Sequence, residues 1–208
     1  KDLKRLVAYS SVSHMGFVLL GLASNTTEGI SGALFQLVSH GVISAALFLI
    51  AGVLYDRTHD RMISNYSGLI GKMPRYATFT VLFFFASLGL PGMSGFVAEV
   101  LTVLGAFVSA GVNGLLSRGL ALGAVIGLIL SAAYYLWTLQ RMYFGPFFYR
   151  FSDGGELSDL TKREYLLLAP LAVLTLGLGI FPGILLDLFT ATVNDFIHLV
   201  NMAHTWPQ

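Results

Sequence analysis

Long apolar stretches joined by short polar connections dominate the chain and predict helices that cross a membrane. A bilayer core needs about 20 apolar helical residues, and five stretches reach that length, at about 6–23, 30–55, 76–110, 115–143 and 165–186. The third is too long for one straight crossing, and Gly89, Pro91 and Gly92 interrupt it. We therefore expect an all-α membrane protein with five transmembrane helices, the third of them discontinuous at Pro91, in a single membrane domain over 1–208.

The segment after the fifth stretch has two faces. Between about 184 and 202, apolar residues recur at helical spacing while Asp and Asn occupy the opposite side. This pattern predicts a C-terminal amphipathic helix, either on the outer membrane face or docked on a neighbouring subunit. Docking is favoured, because an interfacial anchor usually carries basic residues on its polar face.

Charge supports this class and orients it. Only 11% of the residues are charged, against about 25% in soluble domains. Of the 12 Lys and Arg residues, all except Arg118 flank one side of the predicted spans. The positive-inside rule puts that side in the cytoplasm or matrix, so the chain enters from the inside and ends outside. Because it starts at Lys1 without a methionine, we expect the C-terminal part of a longer protein.

Glu99 is the only charged residue between Tyr76 and Ser117. An ionisable group inside hydrocarbon costs several kcal/mol and is kept where water, a partner or a proton requires it. It also follows the helix break closely, and a helix can break at membrane depth only where its freed backbone faces protein or a wet cavity. The combination indicates an ion path.

Two histidines are predicted to lie at the same depth as this acid. His14 lies eight residues into the first span and His40 ten residues into the second, whereas Glu99 lies eleven residues before the outer end of the third. At 1.5 Å per residue these positions are about 12, 15 and 16 Å deep in a core of about 30 Å. Histidine changes its charge near neutral pH, so we predict a proton path through all three residues.

Further polar residues could extend this path. Gln36, His40 and Ser44 are spaced to line one helix face. Ser10 and Ser11 precede His14 by one turn, and like Gln36 and Ser44 they are predicted to support the path. Lys4, two turns below Ser11, is predicted to belong to the path itself. Each has a structural alternative: a histidine can cross-link helices, a serine can bond to its own helix, and Lys4 can snorkel to the inner interface.

No catalytic, nucleotide, haem or metal motif is recognised, and the absence of cysteine excludes thiolate-bound metals and iron–sulfur clusters. With a net charge of +1, nothing indicates nucleic-acid binding. We expect no metal and no redox cofactor in this chain.

Five segments of the chain resemble one known family in order and in spacing. They are 1–16 (KDLKRLVAYSSVSHMG), 36–41 (QLVSHG), 55–59 (YDRTH), 88–92 (LGLPG) and 95–99 (GFVAE). Together they are similar to the antiporter-like membrane subunits of respiratory complex I, the NADH-quinone oxidoreductase. The acid at Glu99 resembles the subunit 4, or chain M, branch of that family, since the sibling subunits usually carry lysine there. Ala98 departs from the glycine of many relatives, without an expected consequence.

The resemblance implies that these are the last five of fourteen membrane helices. It also implies that Glu99 ends a central hydrophilic axis, that His14 and His40 belong to this axis, and that Lys4 matches a lysine at the basic-side end of the first helix here. The remaining key residues of the family would lie upstream.

The expected function is that of a proton-translocating membrane subunit of NADH:quinone oxidoreductase. Flavin, iron–sulfur clusters and quinone are expected in partner subunits. The expected partners are other membrane subunits of complex I, including sibling antiporter-like subunits, and the lipid bilayer. A bacterial plasma membrane is favoured over a mitochondrial inner membrane. The alternatives are a subunit of a multi-subunit sodium/proton antiporter or a membrane-bound hydrogenase, or a structural scaffold whose polar residues only join helices.

Overall fold

A computed structural model describes residues 1–112, 115–150 and 157–204 of the chain. Almost all of them are helical, which confirms the predicted fold class. The α-helices are α1 (Leu3–Ala23), α2 (Thr27–Thr58), α3 (Leu69–Lys72), α4 (Pro74–Ser87), α5 (Ser94–Val112), α6 (Arg118–Tyr143), α7 (Lys162–Ile180) and α8 (Gly183–His204). A pair of two-residue antiparallel strands, β1 (Tyr66–Ser67) and β2 (Phe148–Tyr149), was not predicted, because two residues are too few to show a period.

Within the described ranges, six helices are long and apolar enough to cross a membrane: α1, α2, α5, α6, α7 and α8. The third predicted crossing is the pair α4 and α5, separated by residues 88–93. The expectation of a discontinuous helix agrees with this architecture.

The break between α4 and α5 follows from its residues. Gly89 and Gly92 adopt φ angles of +76° and +90°, which residues with a Cβ rarely adopt. Pro91 lacks the N–H that would continue the helix. The turn is closed by hydrogen bonds from Leu90 N to Phe85 O and from Met93 N to Leu90 O, both 3.0 Å.

Helix α2 packs closely against α5, and glycines permit this. A Cβ on Gly32 would collide with the backbone of Thr102, and one on Gly105 would collide with Gly29. Further along the pair, Ser39 Oγ donates to Ser94 Oγ at 2.8 Å. Since residue numbers rise on one helix as they fall on the other, the two helices are antiparallel.

The basic side is held together by one polar cluster, the inner ion cluster, formed by Arg57, Asp159 and Glu164. Arg57 at the end of α2 donates two hydrogen bonds, of 2.9 and 2.7 Å, to the carboxylate of Glu164 in α7. Asp159 accepts from the backbone N–H groups of Arg75 and Tyr76, at 2.9 and 3.0 Å, and so caps α4. The inner ends of three helices are thereby fixed together.

The fifth predicted span was placed wrongly at its end. It was expected to run to Leu186, but α7 stops at Ile180 and a new helix starts at Gly183. Pro182 explains the stop, because proline has no N–H to donate and disfavours a helical conformation in the residue before it.

Helix α8 makes polar contacts with the connection between α1 and α2. Thr27 Oγ1 donates to Asn194 at 3.1 Å, and Asn25 Nδ2 donates to Asn201 at 3.2 Å. Asn194 lies about 16 Å along α8 from its start, yet it contacts the outer beginning of α2. These bonds favour a helix that runs along the outer face; its position relative to a bilayer stays a prediction.

Candidate functional site

Glu99 lies on the second turn of α5, is only 4% exposed, and turns its carboxylate towards the helix break. A Cβ on Gly89 would overlap Oε2 of this carboxylate and would have to displace it, while the positive φ of Gly89 already favours glycine. Side chains on a helix lean towards its N-terminus. For this reason the carboxylate is displaced from its own Cα towards the N-terminus of α5, and it lies beside the break.

His14 of α1 meets the carboxylate there. Its Nε2 lies 3.8 Å from Glu99 Oε1, and the same nitrogen donates to the carbonyl oxygen of Ser87 at 3.1 Å. Because a carbonyl oxygen can only accept, Nε2 carries the proton of the neutral ring and Nδ1 carries the lone pair. Nδ1 is buried and has no hydrogen-bond partner among the described residues, so it is the nitrogen able to accept a proton.

The carbonyl of Ser87 is available to His14 because of Pro91. In an uninterrupted helix the carbonyl of residue i accepts from the N–H of residue i+4, and the residue four positions after Ser87 is Pro91, which has no N–H. The proline that ends α4 therefore also supplies the acceptor that fixes His14.

His40 of α2 completes a cluster of three protonatable groups, named here the midplane cluster: Glu99, His14 and His40. The two imidazole rings lie 5.1 Å apart between centroids, tilted by 54°, and His40 is half-buried. One turn away on α2, Gln36 is 2% exposed, and its Oε1 has no hydrogen-bond partner in the described part of the chain. The predicted members from three separate helices thus lie together.

The other predicted residues lie outside this cluster or bond locally. Ser10 and Ser11 both donate to the carbonyl of Val7, at 2.8 and 3.3 Å, as the structural alternative for them expected. Ser44 is half-buried one turn beyond His40. Lys4 is exposed and lies about 15 Å along α1 from His14, so its role at the inner end of a path stays a prediction.

Sequence reasoning missed the contact between α4 and α6 that supports the cluster. Ser87 Oγ donates to the hydroxyl of Tyr135 at 2.6 Å, and Ser10 interacts with the hydroxyls of Tyr134 and Tyr135. The available signal was the position of Ser87 four residues before Pro91. Tyr134 and Tyr135 lie one turn beyond Ser131, the last of four small residues spaced every fourth position, Gly119, Gly123, Gly127 and Ser131, a spacing that indicates close helix packing.

The described residues contain no group of three or more His, Cys, Asp or Glu side chains that could hold a metal ion. What the midplane cluster can do is exchange protons. The carboxylate of Glu99 and the two imidazoles can each hold and release one proton, and His14 lies next to both of the other groups.

Comparison with known sequences identifies the family. Residues 1–131 match the profile described as NADH:quinone oxidoreductase/Mrp antiporter, transmembrane. The chain belongs to this family. It is 46% identical to NADH-quinone oxidoreductase subunit M of Rhodobacter capsulatus over 98% of its own length, and 44% identical to NADH-ubiquinone oxidoreductase chain 4 of Chondrus crispus over 96%. The family resemblance and a multi-pass membrane protein are confirmed.

Solved structures agree with this assignment. The chain superposes on a chain of respiratory complex I from Thermus thermophilus with a TM-score of 0.84 and 38% identity, over 96% of this chain and 40% of that one. A chain of the Mrp complex from Dietzia shares the fold, with a TM-score of 0.73 at 23% identity over 90% of this chain and 41% of that one. The chain spans only 38% and 39% of the subunit M and chain 4 relatives.

Proposed function

We propose that this chain is part of a proton-translocating membrane subunit of an NADH:quinone oxidoreductase and carries one section of its midplane proton path. The observation that supports this most directly is the midplane cluster. A single buried carboxylate lies at a helix break, 3.8 Å from the Nε2 of His14, and a second imidazole stands beside the first.

The geometry suits a relay. In the neutral ring of His14, the lone pair on Nδ1 accepts a proton while Nε2–H faces both the Ser87 carbonyl and Glu99. Loss of the Nε2 proton to an ionised Glu99 returns the ring to neutrality as the other tautomer. Proton transfer across His14 therefore needs no movement of the ring other than small adjustments of distance.

Driving force must come from other subunits. We propose that the flavin and iron–sulfur chemistry expected above takes place in partner chains. The names of the oxidoreductase relatives give NADH and a quinone as the reactants. Exposed apolar side chains along α6 and α8, such as Ile129 at 64% and Leu188 at 76%, fit contact with lipid or with neighbouring membrane subunits. The proposed location is a bacterial plasma membrane.

A sodium/proton antiporter subunit is the second candidate, since the family profile covers both classes and the fold is shared with the Mrp complex. Purification of the full-length protein with its partners separates them. Flavin and iron–sulfur subunits in the purified assembly support the oxidoreductase. Cofactor-free partners together with sodium-dependent exchange would favour the antiporter.

The central test is Glu99→Gln in the assembled complex, reconstituted into liposomes with a pH-sensitive dye. We expect proton translocation through this subunit to fall at least about tenfold while the complex still assembles. Glu28→Gln at the outer end of α2 is the matched control, and it should pump normally. Undiminished pumping by assembled Glu99→Gln would contradict the proposed path and support the scaffold alternative.

A further inference from the structure

Ser87 makes two hydrogen bonds that point to different helices. Its carbonyl accepts from His14 of α1 at 3.1 Å, and its hydroxyl donates to Tyr135 of α6 at 2.6 Å. Ser87 is also the last residue of α4, where the intrahelical bonds end. Tyr135 of α6 therefore holds the end of α4, and the carbonyl at that end binds His14 of α1.

Tyr135 is itself rigidly held. It is fully buried, its ring packs edge-on against Phe84 with 4.9 Å between centroids, and it lies 4.6 Å from the ring of Tyr134. A phenol fixed on two sides provides a firm anchor for the hydroxyl of Ser87. Tyr135 does not contact Glu99 or His14 in any hydrogen bond found in the described chain, so any effect on the cluster is indirect.

We propose that Tyr135 is a positioning residue for His14. By holding Ser87 at the broken end of α4, it aims the Ser87 carbonyl at Nε2 of His14 and so keeps Nδ1 as the nitrogen that receives the proton. This inference rests on the proposed proton path, since a tautomer matters only if His14 carries protons.

The titratable groups around His14 are few, so a change in its hydrogen bond should be measurable. Glu99 faces it from α5 and His40 from α2, and α6 contributes the phenols of Tyr134 and Tyr135. Helix α4 contributes only the carbonyl of Ser87. Ser87→Ala leaves all of these groups in place, whereas Tyr135→Phe removes one phenol and keeps the rest.

Two substitutions remove the same hydrogen bond from opposite ends: Tyr135→Phe and Ser87→Ala. Each should displace the pH profile of proton translocation in the intact complex by about half a unit to one unit, which corresponds to one ordinary hydrogen bond. Tyr135→Phe also removes the contact of this phenol with Ser10, so Ser87→Ala is the more selective variant. If both act on His14 through their shared bond, adding Ser87→Ala to Tyr135→Phe should displace the profile no further. Equal profiles in wild type and both variants, or displacements that add, would overturn the inference.

Tyr143→Phe is the matched control, since it also removes a buried phenol from α6, one that bonds to Tyr76 at 3.2 Å and not to Ser87. It should assemble and keep the wild-type profile. If Tyr135→Phe fails to assemble while Tyr143→Phe assembles, and Ser87→Ala keeps the wild-type profile, Tyr135 is purely structural and the inference is wrong.

Glu99→Gln, measured in the same assay, separates failure of the proton path from failure of the positioning role of Tyr135. If Glu99→Gln pumps normally, the proposed function fails whatever Tyr135 does. If it stops pumping while Tyr135→Phe and Ser87→Ala keep the wild-type pH profile, only the positioning role fails.

Discussion

The inner ion cluster and the midplane cluster both contain ionisable residues, yet they are built in opposite ways. In the first, Arg57 and Glu164 meet through two hydrogen bonds of 2.9 and 2.7 Å, and the remaining donors of Arg57 reach backbone carbonyls. In the second, His14 and Glu99 stay 3.8 Å apart, and a buried ring nitrogen has no hydrogen-bond partner among the described residues.

This contrast separates a structural ion pair from a group that handles protons. A saturated pair stabilises the fold because every donor and acceptor is occupied. A group that must give up and regain a proton needs an unoccupied position and a partner that is near without being tightly bound. We expect substitutions in the inner ion cluster to change stability, and substitutions in the midplane cluster to change transport.

The largest effect is expected from Gly89→Ala. The Cβ of the alanine would collide with the carboxylate of Glu99 and should displace it. The positive φ at this position also disfavours alanine. We expect proton translocation to fall at least about tenfold, with a loss of stability of about 1–3 kcal/mol. Gly41→Ala, where a Cβ meets nothing within 4 Å in the structure, is the control. Normal pumping by Gly89→Ala would refute this account of the break.

Arg57→Met tests the inner ion cluster. It leaves the carboxylate of Glu164 without its partner, and we expect about 2–3 kcal/mol of destabilisation, measured as a lower midpoint of thermal unfolding in detergent. The double variant Arg57→Met with Glu164→Gln should recover part of the loss. Pumping per assembled complex should stay at the wild-type level. A loss of pumping would contradict a purely structural role of the inner ion cluster.

Asp159→Ala should have a smaller effect of the same kind. Two backbone N–H groups at the start of α4 would lose their acceptor, which costs about 1 kcal/mol for an ordinary helix cap. Hydrogen exchange at Arg75 and Tyr76 should rise in the variant. Unchanged exchange at those two positions would show that water replaces the cap without cost.

Ser11→Ala should have the smallest effect, because among the described residues Ser11 bonds only to the carbonyl of Val7 in its own helix, at 3.3 Å. Translocation should stay within about a factor of two of the wild type, equivalent to a few tenths of a kcal/mol. A strong loss would instead place Ser11 on the path, as its position before His14 first suggested.

Much of this arrangement could be predicted from the sequence, because it depends on local signals. Hydropathy predicted the helices and Pro91 predicted the break. Glu99 was identified as the candidate acid because it is the only charged residue between Arg75 and Arg118. Counting residues from the span ends placed His14 at a similar depth, since a helix rises by a constant amount per residue.

The supporting contacts could not be predicted, because they depend on packing between distant segments. Ser87 and Tyr135 are 48 residues apart, and nothing in either segment specifies the other. Lys4 shares α1 with His14 but lies towards its inner end, and its role in the path stays a prediction. By contrast, Pro182 was visible in the sequence and should have ended the fifth span at Ile180.

The break at Pro91 also divides one helix macrodipole into two. An intact helix would carry its partial charges at the membrane faces, but α4 ends with a negative pole and α5 begins with a positive pole inside the bilayer. His14 bonds to the carbonyl at the negative pole, and the side chain of Glu99 leans back towards the positive one. Each member of the pair thus has, in the backbone itself, a counter-pole for the charge it takes on, even when its partner is neutral.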